Sequence, residues 1–149
     1  MIRLLSPNDY QRMIHIIRVG PRSRYKIRNT HLITDPNQAK WDKFFQGLEV
    51  TTYGLVKEVE GKIVGLALGM ISENFWDEQK IGRVILWYVD PEYRGVTAIR
   101  LFQGLGMWFK SKEVDYVLAT CDFDSDASRA YRKMGFKPLE ESLYLLKEA

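Results

Sequence analysis

The segment formed by residues 89–102, VDPEYRGVTAIRLF, combines residue types and spacing that suit the binding of a phosphate group. Its apolar start is typical of a strand, and the chain then turns through Pro91 and Gly95 into a helical pattern. The first N–H groups of a helix have no partner within the helix, and the helix dipole adds positive charge at that end. The segment therefore predicts a site for an anionic cofactor.

This segment resembles the pyrophosphate-binding motif of the GNAT superfamily of N-acetyltransferases. In that motif a strand ending in Val-x-Pro is followed by Arg/Gln-x-x-Gly-x-Gly/Ala and then by a helix. Val89, Pro91, Arg94 and Gly95 fall on the corresponding positions of this chain. The resemblance implies that acetyl-coenzyme A (acetyl-CoA) would bind here as the co-substrate.

Two positions depart from the motif. Thr97 stands where the family has its second glycine, and Ile99 stands where it has Gly or Ala. A threonine still supplies an N–H group, whereas a branched isoleucine would crowd a pyrophosphate unless the turn is displaced. With these departures, the resemblance implies a cofactor-binding set of Tyr88, Val89, Arg94, Gly95, Val96, Thr97, Ala98, Ile99, Arg100 and Asp124.

A second stretch, residues 124–136 or DSDASRAYRKMGF, resembles the element Asn-x-x-Ala-x-x-x-Tyr-x-x-x-Gly-Phe of the same family. Ala127, Tyr131, Gly135 and Phe136 are in register, and Asp124 replaces the asparagine. The resemblance implies that Tyr131 is the acid that protonates the departing thiolate of coenzyme A. From periodicity alone, Tyr131 lies on the apolar stripe of its helix and is interpreted as a core residue.

The base that would take a proton from the acceptor amine is not fixed by the sequence. Asp122 follows the next predicted strand and could reach an amine directly or through water, but an acidic residue there can also form a turn. Asp124 could simply cap its helix. Glu73, Asp77 and Glu78 are further alternatives or plain surface charges, and an amine that arrives neutral would need no base.

The periodicity of apolar residues predicts the elements that must position these groups. We expect, in order, a strand (2–5), a helix beginning at Ser6 and Pro7, a helix capped by Asp35 and ending near Gly47, strands (51–59, 62–72, 81–89), a helix after Gly95, a strand (114–121), a helix ended by Gly135, and one or two closing strands (139–146). The sequence thus predicts an α/β (α+β) fold, with helices on both faces of a mixed sheet of six or seven strands. This is also the element order of the GNAT fold.

The chain of 149 residues has the length of one ordinary domain, and its 46% of apolar residues is typical of a globular protein. We therefore expect a single acetyltransferase-like domain over residues 1–149. No stretch resembles a signal peptide or reaches the roughly 20 apolar residues that cross a bilayer, so we expect a cytoplasmic protein with no membrane partner. The single cysteine, Cys121, excludes a cysteine-based metal cage, and we expect no metal.

Six basic residues and no acidic residue lie between positions 12 and 28: Arg12, Arg18, Arg22, Arg24, Lys26 and Arg28. They form either a solvated loop after a helix or an anion-facing segment. An anion-facing segment would repel polyamines and accept amines that carry a carboxylate or phosphate group. The net charge of +3 is too modest to indicate a nucleic-acid partner, and the sequence leaves a homodimer open.

The leading hypothesis is an acetyl-CoA-dependent N-acetyltransferase that transfers an acetyl group to an amine of a small molecule or peptide, by direct attack on the thioester. The alternative is a non-catalytic module of the same fold that binds a partner protein or nucleic acid through its basic N-terminal loop.

Overall fold

The computed structural model describes residues 1–20, 37–121 and 126–140 of the chain. The chain divides into two compact units, residues 1–118 and residues 119–149. Of the described elements, the first unit holds most of the sheet and three α-helices, and the second holds one α-helix. The single domain expected over residues 1–149 stays a prediction.

Five strands and four α-helices are formed by the described residues. The strands are β1 (Ile2–Leu4), β2 (Thr52–Val59), β3 (Lys62–Glu73), β4 (Lys80–Val89) and β5 (Tyr116–Ala119). The α-helices are α1 (Tyr10–Val19), α2 (Gln38–Gln46), α3 (Val96–Ser111) and α4 (Asp126–Lys133), and short 3-10 turns at Pro7–Asp9 and Pro91–Tyr93 precede α1 and α3.

The five described strands form one sheet in the order β1-β2-β3-β4-β5. Strands β1 to β4 are antiparallel to their neighbours. β5 begins beside the start of β4, since the N–H of Asp115 donates to the carbonyl of Lys80 at 2.8 Å and the N–H of Lys80 donates to the Asp115 carboxylate at 2.7 Å. Both strands leave this edge together, so β5 runs parallel to β4 and the sheet is mixed.

The expected fold class, a mixed α/β sheet with helices on both faces, is confirmed. The expected six or seven strands stay a prediction, because residues 141–149 lie outside the described residues, while Leu139 and Glu140 are in no strand. Among the five described strands, β3 is the middle one. β3 is accordingly the strand with the longest buried run.

Side-chain alternation along β3 decides which residues meet the helices on each face. On one face, α1 and α2 enclose an apolar cluster that includes Met13, Ile14, Ile17, Phe44, Leu66 and Leu68. On the other face, α3 lies over Gly65 and Gly69. A β-carbon at these glycines would come within 2.9 Å of Leu101 and 2.6 Å of Leu105, so their small size lets the helix approach the sheet closely.

β4 contains a bulge at Ile85. Consecutive residues of β3 pair with Leu86 and Val84, and Ile85 between these two has no partner on β3. Because the bulge takes up one residue, Val84 and Trp87 share the α3 face although three positions separate them, and Tyr88 faces α1.

Three glycines differ in what their small size does. The β2–β3 turn has positive φ at Glu60 (49°) and Gly61 (79°), as a tight hairpin requires. Gly104 of α3 packs closely on the sheet, since a β-carbon there would lie 2.5 Å from the side chain of Leu55. Gly106 does not, since no atom lies within 4 Å of its β-carbon position.

The first two helices are capped by different residue types. Ser6 and Pro7 begin the 3-10 turn before α1, as expected. Helix α2 is capped by Asn37, whose side chain accepts a hydrogen bond from the N–H of Lys40 at 3.3 Å. The expected cap at Asp35 is therefore wrong, and Asp35 itself lies outside the described residues.

The start of α1 is fixed by a buried carboxylate. Asp9 is 1% exposed and accepts hydrogen bonds from Arg3 at 2.8 Å, from Arg12 at 2.6 Å and from the N–H of Ser6 at 2.9 Å. The Arg3 guanidinium, together with the Ser6 N–H and Arg12, holds the pKa of Asp9 well below its usual range. Arg12 also pairs with Glu58 at 2.6 Å, so it is engaged within the fold rather than in an anion-facing segment.

Candidate cofactor-binding and catalytic site

The turn from β4 into α3 presents three backbone N–H groups that have no partner among the described residues. Gly95 is the N-cap of α3 with φ of 101°, a conformation that glycine adopts at little cost. The N–H groups of Val96, Thr97 and Ala98 follow, and Ile99 is the first to bond back, to the Gly95 carbonyl at 3.2 Å. The free donors and the positive end of the helix dipole suit an anion.

The same turn is open to solvent. Val96 is 62% exposed and Ile99 is 49% exposed, and no atom lies within 4 Å of a β-carbon built on Gly95. The side chain of Ile99 therefore projects toward solvent and does not fill the turn. Its N–H bonds to the Gly95 carbonyl within the helix, and its expected role in cofactor binding stays a prediction.

Arg94 connects this turn to the end of β4. Its Nε–H donates to the carbonyl of Val89 at 2.9 Å, and its guanidinium lies 5.9 Å from the centroid of the Tyr88 ring. The side chain is otherwise exposed. The positive charge of Arg94 thus lies beside the free N–H groups of the turn.

The end of β4 directs backbone groups away from β3. The N–H of Asp90 donates to the Val64 carbonyl of β3 at 2.8 Å, and the carbonyl of Val89, in the same trans peptide unit, points the opposite way. The described β5 has 4 residues against 10 in β4, and the two strands start together. The carboxyl end of β4 therefore runs past the described β5, and among residues 1–20, 37–121 and 126–140 no strand pairs with it on the side away from β3, so an extended ligand could join it there.

Trp87 and Tyr88 leave β4 on opposite faces, as neighbours on a strand do. Tyr88 faces the end of α1, where a β-carbon at Gly20 would lie 2.5 Å from its ring. Burial, followed by the negative charge of Asp90, raises the pKa of the Tyr88 phenol. Trp87 faces α3, and its indole N–H donates to the carbonyl of Ala98 at 2.9 Å.

Trp87 ties β4 to the start of α3, a contact that was not predicted from the sequence. Its hydrogen bond to Ala98 and its ring contact with Phe102, at 4.8 Å between centroids, hold the first turns of α3 against β4. A tryptophan that is partly buried near a strand end needs a partner for its N–H, and that requirement was the available signal.

Tyr131 lies in the second unit and is 7% exposed. Helix α4 ends in a Schellman motif: the N–H of Phe136 donates to the Tyr131 carbonyl at 3.1 Å, the N–H of Gly135 donates to the Arg132 carbonyl at 3.1 Å, and Gly135 has φ of 98°. The rings of Tyr131 and Phe136 lie 5.2 Å apart. The spacing Tyr-x-x-x-Gly-Phe is therefore explained in part by the geometry of this helix end.

Burial, followed by the nearby Cys121, raises the pKa of the Tyr131 phenol above its ordinary value. The phenol is therefore protonated at neutral pH, and it is a weaker acid than an exposed tyrosine. The expected apolar stripe of this helix is only partly confirmed, because Tyr131 is buried whereas Ala127 and Met134 are exposed.

Several candidate residues cannot be placed. Asp122 and Asp124 lie outside the described residues, as do the four basic residues between positions 21 and 36: Arg22, Arg24, Lys26 and Arg28. Glu73, Asp77 and Glu78 are exposed in or beside the β3–β4 loop. This loop is at the start of β4, about 30 Å from Val89 for a strand of 10 residues.

Among the helices of residues 1–20, 37–121 and 126–140, none is long and apolar enough to cross a membrane. Within the same ranges, no three His, Cys, Asp or Glu side chains are grouped so that they could hold a metal ion.

Comparison with protein families gives the class of this protein. Residues 20–136 match the family described as the acetyltransferase (GNAT) family. The match spans well over half of the chain and includes both the Gly95 turn and Tyr131. The chain belongs to the GNAT acetyltransferase family, a class of N-acetyltransferases, and the resemblance read from the two motifs is confirmed.

Solved structures share the fold over almost the whole chain. A variant of the BH1408 protein from Bacillus halodurans is 18% identical, with 99% of both chains covered and a TM-score of 0.81. AAC(6')-Iy, in complex with a bisubstrate analogue, CoA-S-monomethyl-acetylneamine, is 16% identical, with 100% of this chain and 98% of that chain covered and a TM-score of 0.72. A ribosomal-protein-alanine N-acetyltransferase from Brucella melitensis biovar Abortus 2308 is 15% identical, with 99% and 98% covered and a TM-score of 0.69. A comparison with curated protein sequences finds no significant match.

Proposed function

We propose that this protein transfers an acetyl group from acetyl-CoA to an amine of a small molecule or peptide, by direct attack of the amine on the thioester. One observation carries the proposal: the N–H groups of Val96, Thr97 and Ala98 are free behind Gly95, at the carboxyl end of β4. Family membership supplies the class of reaction, and this turn supplies a place for an anionic co-substrate.

The residues of the turn fit the diphosphate of coenzyme A. Three backbone donors face outward at a helix start, and the open space at Gly95 allows a close approach. Arg94 and Arg100 are exposed and add positive charge on either side of these donors. When bound, acetyl-CoA supplies an activated acetyl thioester.

The edge of β4 supports a second contact with the co-substrate. Val89 points both its N–H and its carbonyl away from β3, so its backbone can pair with an extended chain that carries amide groups, as the pantetheine arm does. The carbonyl already accepts one hydrogen bond from Arg94 and has a second lone pair for a ligand. The backbone groups of Tyr88 point toward β3, so a contact of Tyr88 with the co-substrate would have to come from its side chain.

We assign the role of general acid to Tyr131. The assignment rests on its place in the Tyr-x-x-x-Gly-Phe element; the phenol is protonated at neutral pH, and burial, which raises its pKa, makes it a weaker acid than an exposed tyrosine. Asp122 is the candidate base, and Asp124 is a candidate for cofactor binding. Both assignments rest on position in the sequence.

The acceptor is assigned only as an amine of a small molecule or peptide. The names of two structural neighbours support this breadth, since AAC(6')-Iy is named as an aminoglycoside N-acetyltransferase and the other is named as a ribosomal-protein-alanine N-acetyltransferase. A preference for acceptors with a carboxylate or phosphate stays a prediction from the basic residues between positions 12 and 28. Arg12 no longer counts among those that could face an anionic acceptor, because it pairs with Asp9 and Glu58.

The proposal is tested by incubating the protein with acetyl-CoA and a mixed library of aminoglycosides, amino acids, polyamines and peptides. We expect mass spectrometry to detect an acetylated product that requires both protein and acetyl-CoA. Val96→Pro, which removes one free N–H at a position where proline is well accommodated, should weaken acetyl-CoA binding, whereas Val96→Ala should not. Absence of acetyl-CoA binding at millimolar concentration would favour the non-catalytic module instead.

A further inference from the structure

The loop between β3 and β4 exposes two large aromatic rings side by side. Phe75 and Trp76 are each 87% exposed, and their ring centroids lie 4.8 Å apart in an edge-to-face arrangement. Single exposed apolar residues are ordinary on protein surfaces. An adjacent exposed Phe and Trp, however, have the composition of the centre of a protein interface.

Hydrogen bonds fix the loop that carries these rings. The Asn74 side chain accepts from the N–H of Trp76 at 2.9 Å, and the Asp77 carboxylate accepts from the N–H of Gln79 at 2.9 Å. The N–H of Asn74 donates to the Gln79 carbonyl at 2.9 Å, and its side-chain amide donates to the Tyr116 hydroxyl at 3.1 Å. A partner would thus meet a preformed surface, which lowers the ordering cost of binding.

The charges around the rings indicate the sign of the charge that a partner should carry. Glu73, Asp77 and Glu78 are exposed in or beside the loop. Lys80 and Arg83 also lie beside the loop and keep their positive charges, since Lys80 donates to a carbonyl at the end of α3 at 3.1 Å and Arg83 donates to a serine hydroxyl of β3 at 3.0 Å, both neutral groups. The three carboxylates outnumber these two cations, so the surface around the rings is negative on balance. Carboxylates and aromatic faces both attract cations, and the carboxylates repel nucleic-acid phosphates and anionic lipid surfaces.

We propose that the β3–β4 loop, residues 73–79, docks a lysine- and arginine-rich segment of a partner polypeptide. Small molecules are mostly enclosed in concave sites, whereas these rings project from the surface. The loop lies about 30 Å from Val89 along β4, which separates it from the cofactor turn. Its role would therefore be to recruit the partner rather than to contact the co-substrate.

The test uses the full chain and a short fluorescein-labelled peptide of alternating arginine and glycine, with alternating glutamate and glycine as the charge control. We expect fluorescence anisotropy to show binding of the arginine peptide, weakened by added salt, and no binding of the glutamate peptide. The double variant Phe75→Ser/Trp76→Ser should weaken binding about tenfold or more. Met107→Ser, which changes a residue of α3 that is 73% exposed, should leave binding unchanged.

Two further expected results would support the proposal. Glu78→Gln should weaken peptide binding at low salt, and the affinity for acetyl-CoA should be the same in all of these variants. The proposal is overturned if the arginine peptide does not bind, or if the double variant binds it as well as the wild type does. It is also overturned if sedimentation shows a dimer of the chain that the double variant abolishes, because the rings would then be covered by a second copy.

Discussion

The side chain of Arg94 turns back onto the strand that precedes it, and its Nε–H donates to the carbonyl of Val89 at 2.9 Å. The hydrogen bond closes the turn that carries the three free N–H groups of α3. It also keeps the guanidinium charge at that turn, over the ring of Tyr88. The local conformation and the local charge of the candidate site therefore depend on the same side chain.

Replacement of Arg94 by alanine should weaken acetyl-CoA binding about tenfold, because a charged hydrogen-bond donor is lost beside the diphosphate site. Isothermal titration calorimetry would measure the change. Lys110→Ala is the matched control, since it removes the same charge from the last turn of α3. Equal losses in the two variants would show that only the net charge matters.

Trp87→Phe should raise the KM for acetyl-CoA several-fold, because the first turn of α3 loses its hydrogen bond to β4 while the ring contact with Phe102 is kept. The KM for an acetylated pantetheine that lacks the diphosphate should change little. A loss of the same size for both donors would contradict a positioning role at the phosphate end. Trp41→Phe, on α2, is the control for the loss of an indole group elsewhere.

Tyr131→Phe should lower kcat by about a hundredfold without changing the affinity for acetyl-CoA, because proton donation is lost while the buried ring is kept. Steady-state kinetics and calorimetry together would separate the two effects. Phe136→Leu is the complementary variant: it removes the ring that packs on Tyr131 and keeps the phenol, so it should lower stability more than rate. An unchanged kcat in Tyr131→Phe would remove this residue as the acid.

Asp9→Asn should destabilise the fold by about 2 kcal/mol or more at pH 7, because Arg3 and Arg12 lose a buried counter-charge. The pKa of Asp9 is lower in the folded chain than in the unfolded chain, where it is about 3.9, so its contribution is full above that value and is lost as the pH falls below it.

Urea unfolding of wild type and Asp9→Asn at neutral and at acidic pH would check this prediction. The two stabilities should converge at low pH. Asp42→Asn, on the exposed face of α2, is the control, and we expect it to show little change at either pH. A difference between wild type and Asp9→Asn that is independent of pH would contradict the linkage to this carboxylate.

The junction of β4 and α3 could be predicted from the sequence, because the effects of Val89, Pro91 and Gly95 on the backbone are local. The role of Arg12 could not, since its partner Glu58 lies 46 positions away and only the folded chain brings them together. The bulge at Ile85 was hidden for another reason. Residues 84–89 are all apolar, so no polar residue marks the point where alternation is interrupted.

The choice of helix cap shows a similar limit. Asp35 and Asn37 are both good capping residues and lie two positions apart, so the local sequence alone does not choose between them. The structure gives the cap to Asn37. Element existence was therefore easier to predict than element boundaries.

The bulge at Ile85 affects the course of β4 but not the faces on which its side chains lie. Deleting this residue would leave Trp87 and Tyr88 on their present faces, since the ladder would simply become regular. The strand would, however, lose the extra bend and twist that a bulge adds beyond the point where the described β5 ends. A family member shortened by one residue here would keep Trp87 and Tyr88 on the same faces and would carry the Gly95 turn at a different angle to the sheet.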